Sequence, residues 1–240
     1  TLATDSERTA VCCLSSVNLE EYDEWKDNEQ FIPDLVRMLD NVLDHFIDNA
    51  PDELYRAKLS AEKERSIGLG AMGFHAYLQR HNIPFESVLA KGANNRMFTR
   101  IKSEAVRATR QLAEERGECP DGKGYGVRNA HLLAVAPNAS SSIICGNTSP
   151  SIEPYRANAF TQKTKSGSSL LKNEYLQHAL QEIDMDTDEV WKSVITNGGS
   201  VQQLDFLDDY TKDVFKTAVE IDQKWIIEFA GDRQKHICQS

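Results

Sequence analysis

The sequence lacks the cysteine and histidine spacings that bind metals. It has five cysteines and six histidines in 240 residues, but no C-x-x-C pair, no Cys/His cluster with zinc spacing and no H-E-x-x-H. These absences exclude the common zinc-finger and metalloprotease patterns. The odd number of cysteines and their irregular spacing do not form a disulfide framework, so we expect a reducing, cytoplasmic compartment.

Positive charge is scarce, and long apolar runs are missing. Lysine and arginine number 27 against 37 aspartate and glutamate, which gives a formal charge of −10. An acidic surface argues against nucleic-acid and membrane-surface partners, because both need a cationic face. No apolar run approaches the roughly 18 residues of a membrane helix. With 40% hydrophobic and 27% charged residues, the composition is that of a globular domain.

Apolar residues recur with helical spacing in several parts of the chain. The spacing predicts an amphipathic helix over residues 31–47, a long surface helix over 94–116 and a further helix over 209–229. Residues 62–82 carry a G-x-G-x-x-G pattern, which is the spacing of a dinucleotide-binding turn. Because the charged run 61–65 precedes it rather than a strand, we interpret this segment as a buried helix whose glycines permit close packing.

Other segments are typical of strands and connections. Residues 9–18 are rich in β-branched and small residues and predict a strand. The continuous apolar run 131–136 predicts a strand buried on both faces, as in a parallel sheet or an α/β barrel. Residues 20–29 are interpreted as an acidic surface connection, and 155–170 as irregular with a short strand at 157–161. One α/β domain, or part of one, is the simplest architecture.

The stretch Pro137-Asn138-Ala139-Ser140-Ser141-Ser142 follows the predicted buried strand and is a candidate phosphate site. Free N–H groups at a helix start and serine hydroxyls can all point at one anion. The alternative is that Asn138 or Ser140 simply caps a helix. Composition alone leaves both interpretations open.

The adjacent Cys12 and Cys13 lie on the first predicted strand. Neighbouring residues on a strand point to opposite faces, so at most one of them faces a given cavity. The alternative is that each is a small buried hydrophobe, as free cysteine usually is. The same alternative is favoured for Cys119, Cys145 and Cys238. Glu153, before a Pro-Tyr turn, is a candidate substrate contact or a turn anchor.

Five segments, in this order, resemble the large catalytic subunit of class I ribonucleotide reductase. The matching stretches are residues 10–19 (AVCCLSSVNL), 65–74 (RSIGLGAMGF), 136–142 (APNASSS), 147–155 (NTSPSIEPY) and 232–240 (DRQKHICQS). The resemblance implies an α/β fold, namely part of a ten-stranded, helix-rich α/β barrel. It implies that residues 1–240 are the C-terminal portion of this barrel domain.

The resemblance also implies a chemistry. A thiyl radical on another cysteine removes the ribose 3′ hydrogen of a ribonucleoside diphosphate, and the 2′ hydroxyl leaves as water. Two further cysteines supply the electrons and become a disulfide, so that deoxyribonucleotides for DNA are formed. Cys12 matches the second cysteine of that pair, and Cys13 falls where the family varies. Asn138, Ala139, Ser140 and Ser141 match the loop that holds the substrate phosphates.

The remaining machinery implied by the resemblance has no match in this sequence. No Asn-x-Cys-x-Glu motif for the radical cysteine occurs here, and the first redox cysteine, the effector sites for ATP and dNTP and the C-terminal tyrosine and cysteine pairs are also missing. No cofactor or metal is expected in this segment. The expected partners are a metal-containing small subunit that supplies the radical, the remainder of the large subunit, a second copy in a homodimer, and thioredoxin or glutaredoxin. The chain alone is expected to be inactive.

Two alternatives stand beside this interpretation. One keeps the reaction but uses adenosylcobalamin, as class II reductases do. A dedicated radical-generating partner would exclude it. The other, of a different class, is a non-catalytic nucleotide-phosphate-binding scaffold, which would bind nucleotide whether or not Cys12 is present.

Overall fold

Helices dominate the chain in the computed structural model, which describes residue 2, residues 4–164 and residues 167–238. The elements are β1 (Cys13–Asn18), α1 (Tyr22–Trp25), α2 (Phe31–Asn49), α3 (Tyr55–Glu64), β2 (Ile67–Met72), α4 (Phe74–Arg80), α5 (Val88–Arg116), α6 (Ser141–Ile144), β3 (Ala159–Thr164), β4 (Gly167–Lys172), α7 (Glu174–Glu182), α8 (Asp188–Thr196), α9 (Asp209–Val214) and α10 (Gln223–Gln234). Short 3-10 turns lie at Leu19–Glu21, Asp52–Leu54 and Pro120–Gly122. None of the helices in these residues is long and apolar enough to cross a membrane.

The two strongest amphipathic patterns are confirmed as helices. α2 buries Ile32, Val36 and Leu39 in the stripe that its spacing predicts. α5 begins six residues before its predicted start, because the Ser87 hydroxyl accepts the Ala90 N–H at 3.1 Å and caps the helix. The two helices pack on each other and build the larger of two hydrophobic cores.

A parallel sheet forms next to this core. β1 pairs with β2 in the register Cys13 with Ile67 through Asn18 with Met72, so the predicted N-terminal strand is confirmed from Cys13 onward. The predicted strand 131–136 enters the same sheet through one parallel bridge between Leu69 and Leu133. Leu133 is buried, but residues 134–136 are only half-buried, so burial on both faces is confirmed for only part of this run.

The prediction of one buried helix over residues 62–82 is wrong. The segment is buried, but it contains the end of α3, all of β2 and then α4. Every residue of β2 is buried between its neighbours, and the strand conformation lets Gly68 and Gly70 lie beside β1. These two glycines lie inside the strand rather than in a strand-to-helix turn, where a dinucleotide site would need them.

Gly73 makes the turn from β2 into α4 and is expected to tolerate no side chain. Its φ of +80° is a left-handed conformation, and an added Cβ would lie 2.7 Å from Thr148 Oγ1 and 2.9 Å from Glu20 N. Gly73→Ala is therefore expected to lower the free energy of unfolding by about 1–3 kcal/mol. The control is Gly92→Ala in α5, where an added Cβ meets nothing within 4 Å and the gain is up to about 1 kcal/mol. Equal denaturation midpoints for the two variants would contradict this account.

Two further predictions of secondary structure need correction. The predicted helix 209–229 is two helices, α9 and α10, because the Glu220 carboxylate accepts the Thr217 N–H at 2.7 Å in a turn between them. The predicted surface connection 20–29 contains α1, whose Tyr22 and Trp25 are buried.

The region 155–170 also differs from its prediction. It holds the antiparallel hairpin of β3 and β4 rather than one short strand, and its residues 165 and 166 lie outside the described residues. Ala159 of β3 packs with residues of α7, α8 and α9 in the second hydrophobic core.

A buried carboxylate ties the helices around the larger core. Asp40 of α2 is fully buried and accepts hydrogen bonds from Arg65 Nε at 2.9 Å and Arg116 Nη1 at 2.9 Å. Arg128 Nε lies 3.4 Å from the same carboxylate, and Asn129 Nδ2 donates to it at 3.1 Å. Burial alone raises the pKa of Asp40, but the hydrogen bonds and charges of the arginines outweigh this and hold it below its ordinary value.

Candidate functional site

Cys12 lies at the entrance of β1 and borders a cavity. Cys12, Leu14, Leu133 and Pro137 are among the residues that line this space of about 310 Å³. Burial chiefly raises the pKa of the Cys12 thiol to about 11, and the neighbouring Cys13 and Cys238 add to the shift. At neutral pH the side chain is therefore a thiol that carries its hydrogen.

The glycines of β2 create the room in front of the Cys12 strand. Leu14 pairs with Gly68 and Ser16 pairs with Gly70 across the sheet. A Cβ on Gly68 would lie 3.2 Å from Cys12 Sγ and would also meet the Leu14 side chain. Because β2 carries no side chain at these two positions, the side chains of Cys12, Leu14 and Ser16 occupy the space beside it.

The loop after Pro137 has the exposed N–H groups that an anion needs. Ala139, Ser140 and Ser141 are exposed, and their backbone N–H groups donate no hydrogen bond within the described part of the chain. The predicted helix start is confirmed as α6, a single turn. The N–H groups and serine hydroxyls, rather than a long helix dipole, are thus what this loop offers to a ligand.

Asn138 differs from its neighbours in the loop. Its side-chain amide donates to Ser16 Oγ at 2.8 Å and to Ala71 O at 3.2 Å, so it faces the sheet. Neither Asn138 nor Ser140 caps α6 with its side chain, which is the alternative that the sequence left open. The structure brings Asn138 to β1 and leaves Ala139, Ser140 and Ser141 facing outward.

A second and larger cleft lies on the other side of the loop. Ala139 and Ser142 line this space of about 920 Å³ together with Phe160 of β3, and Pro137 borders both cavities. The two spaces therefore adjoin at Pro137, where the loop begins. Two residues that the sequence singled out, Ala139 and Glu153, both line this cleft.

The remaining cysteines have different environments. Cys13 packs against the larger core, and burial raises the pKa of its thiol. Cys119 is buried, as expected, whereas Cys145 is exposed and the expectation of a buried hydrophobe is wrong there. Cys145 follows the single-turn helix α6, which lies on the surface. Cys238 is half-buried and borders the same cavity as Cys12.

The structure favours the turn interpretation of the Glu153 motif. Tyr155 is buried, with its N–H donating to His75 Nδ1 at 2.9 Å and its hydroxyl to Asn147 O at 3.1 Å. Burial lowers the pKa of His75 to about 3, so this ring stays neutral and accepts the Tyr155 N–H near neutral pH. Glu153 itself is exposed. The motif anchors the segment that follows the phosphate-loop candidate.

Sequence reasoning missed Ser16, Gly68 and Gly70 as parts of this site. The signal was present in the two-residue spacing from Cys12 to Leu14 to Ser16, which places all three on one face of a strand. Among the residues that the structure describes, no group of three or more His, Cys, Asp or Glu side chains is arranged to hold a metal ion.

Comparison with known proteins gives consistent matches. The chain matches the family model for the ribonucleotide reductase barrel domain over residues 1–122 and 120–240. It is 55% identical over 243 residues to the ribonucleoside-diphosphate reductase large subunit of Invertebrate iridescent virus 6. This alignment covers 100% of the chain and 25% of the viral protein. The large subunit from Caenorhabditis elegans is 31% identical over 265 residues, covering 96% of the chain and 34% of that protein.

A solved structure supports the same relationship. The chain matches the Actinobacillus ureae class Id ribonucleotide reductase alpha subunit with a TM-score of 0.90 and 42% sequence identity, over 98% of the chain and 43% of that subunit. The expected helix-rich barrel fold is confirmed by these matches. The chain thus spans between a quarter and less than half of the length of these relatives.

Proposed function

This chain belongs to the family of the ribonucleotide reductase barrel domain, and we propose that its cavity and loop serve the reduction of ribonucleoside diphosphates. The sugar enters the cavity beside Cys12, and the diphosphate binds the N–H groups and hydroxyls of Ala139, Ser140 and Ser141. Residues 1–240 are the C-terminal portion of the barrel domain of a longer large subunit.

The observation that carries this proposal is that the Cys12 thiol and the start of the candidate phosphate loop border one cavity. Cys12 and Pro137 line the same cavity, and the residues with free N–H groups begin two positions after Pro137. Binding a phosphate handle at a fixed place relative to a reactive group is a large part of catalysis, since it replaces a chance encounter with a held geometry. The cavity of about 310 Å³ is within the range of small-molecule sites.

The proposed chemistry needs two thiols and accounts for every electron. A radical cysteine elsewhere in the protein takes the 3′ hydrogen and returns it at the end. The C2′–O bond breaks and the hydroxyl leaves as water, while Cys12 and a partner cysteine outside this sequence give two electrons and two protons and become a disulfide. The high pKa of Cys12 suits this role, because the thiol form carries the hydrogen that it gives.

Other components of the reaction come from outside this chain. We propose that a metal-containing small subunit supplies the radical, that thioredoxin or glutaredoxin restores the thiols, and that ATP and dNTP effectors bind elsewhere in the large subunit. The full-length subunit forms a homodimer in the cytoplasm. Support for these components comes from family membership and from the class I alpha subunit among the structural matches.

The isolated 240 residues are expected to show no reductase activity, whereas the full-length protein with its small subunit and a dithiol reduces ribonucleoside diphosphates. The measurement is deoxyribonucleotide formation by the two preparations side by side, with ribonucleoside diphosphate binding followed in the full-length protein. Turnover by the isolated chain would contradict the assignment of the radical cysteine to another segment. Nucleotide binding without turnover, in the presence of the small subunit, would favour a scaffold instead.

A further inference from the structure

We propose that Ser16 and the side chain of Asn138 form a positioning pair that fixes the phosphate-binding loop at a set place along the Cys12 strand. This inference rests on the proposed function and deepens it. The pair touches no reacting atom in the proposal. It acts by holding two segments that are far apart in sequence in one geometry.

The hydrogen bonds link the loop to both strands of the sheet. Asn138 Nδ2 donates to Ser16 Oγ at 2.8 Å, and the two oxygens Ser16 Oγ and Asn138 Oδ1 are 3.2 Å apart. The same Nδ2 donates to Ala71 O at 3.2 Å on β2. One side chain of the loop therefore contacts both β1 and β2.

The loop backbone is shaped to bring this amide to the sheet. Asn138 has a φ of +53°, a left-handed conformation that asparagine tolerates better than most residues. The turn directs the Asn138 side chain toward the sheet, while Ala139, Ser140 and Ser141 stay exposed. Residue 138 thus anchors the loop, and residues 139–141 are left for the ligand.

Gly70 leaves the space in which the Ser16 hydroxyl lies. Ser16 is paired with Gly70 across the sheet, and a Cβ on Gly70 would lie 3.1 Å from Ser16 Oγ and 3.4 Å from Ala136 N. A larger residue at position 70 would first meet the backbone oxygen of Ala134 and would also crowd the hydroxyl that holds Asn138. The hydroxyl is half-buried, so water competes only in part for its hydrogen bonds.

The position of Ser16 along β1 sets the distance between the loop and the Cys12 thiol. It lies four residues after Cys12 on the same face, about 13 Å along an extended strand. The loop is thereby tied at a fixed distance from the thiol rather than only near it. Because misplacement by about 1 Å can lower a rate by about 100-fold, loss of this tie should act on the chemical step more than on phosphate binding.

The test compares Ser16→Ala with Ser15→Ala in the full-length protein. Ser15 lies on the opposite face of β1, and its side chain makes no hydrogen bond in the described part of the chain. We expect Ser16→Ala to lower kcat by about 10-fold or more with a change in KM below about 3-fold, and Ser15→Ala to change neither. Ser16→Thr keeps a hydroxyl and should restore kcat to within about 3-fold of the wild type.

A second measurement is independent of turnover. Amide hydrogen exchange at Ser142, which is buried and whose N–H donates to Asn138 O at 3.0 Å, should be faster in Ser16→Ala than in Ser15→Ala, and Asn138→Gly should abolish the difference that Ser16→Ala makes. Equal kcat and equal exchange in the two serine variants would overturn the positioning role. If the wild-type protein neither binds nor reduces ribonucleoside diphosphates, the proposed function fails, and the exchange rates still decide whether Ser16 anchors the loop.

Discussion

Replacing Cys12 by serine in the full-length protein is expected to abolish repeated turnover, while ribonucleoside diphosphate binding remains. A serine hydroxyl cannot form the disulfide that delivers two electrons, so the loss should be on the order of 10³-fold or more, the size seen when a group that takes part in the reaction is removed. In the described part of the chain, no hydrogen bond joins the proposed phosphate loop to the Cys12 sulfur. Product formation per enzyme over many cycles is the measurement, with nucleotide binding determined separately.

The matched control is the neighbouring cysteine. Cys13 points to the other face of β1 and packs against the larger core, so Cys13→Ser should keep turnover while lowering stability by about 1 kcal/mol. If Cys12→Ser turns over at the wild-type rate, the assignment of Cys12 to the redox pair is wrong. Equal loss in both variants would instead indicate damage to the strand that they share.

Asp40→Ala is expected to lower the free energy of unfolding by about 3–5 kcal/mol, because it removes the buried carboxylate that pairs with the buried Arg65. Arg65 is only 6% exposed at its side chain, and its Nη2 lies 2.7 Å from Asp40 Oδ1. The control is Asp44→Ala. Asp44 also contacts Arg65 but is 42% exposed, so its loss should change stability by about 1 kcal/mol or less. Urea denaturation of the three proteins is the measurement.

The contribution of Asp40 to the free energy of unfolding should decrease at low pH. Its pKa in the folded protein lies below the ordinary value of about 3.9, so its contribution is complete above the unfolded pKa. This contribution is lost as the pH falls through the folded pKa. The difference between wild type and Asp40→Ala should therefore shrink below about pH 4. A difference that grows on acidification would contradict the charge-pairing account.

Long amphipathic helices were predictable from the sequence, whereas β2 was not. The stripe of α2 has the helical period over many residues, and only one face can be buried. β2 is the short run Ile-Gly-Leu-Gly-Ala-Met, which has a single β-branched residue and no polar alternation. Its strand conformation comes from partners on both sides, which lie more than fifty residues away in sequence.

The site was predictable to a similar extent. Cys12 and residues 138–141 were candidates from the residues alone, the family resemblance implied their roles, and those roles stay predictions. The sequence did not predict that Asn138 faces the sheet while residues 139–141 stay exposed. This arrangement depends on hydrogen bonds from Asn138 to Ser16 and Ala71, which are far away in sequence. Periodicity also joined α9 and α10 into one helix, since Val214 and Ile221 have helical spacing but pack into different cores.

A chain that folds during synthesis cannot complete this parallel sheet early. Cys13 pairs with Ile67 and Leu69 bridges to Leu133, so each pairing closes a loop of more than fifty residues. Closing such loops loses chain entropy before any strand contact is gained, and folds of high contact order are correspondingly slow. The local helices α2 and α5 can form first and offer an apolar surface on which the strands assemble. β1 is thus synthesised before β2 and the segment at Leu133, and the sheet that joins the three forms late.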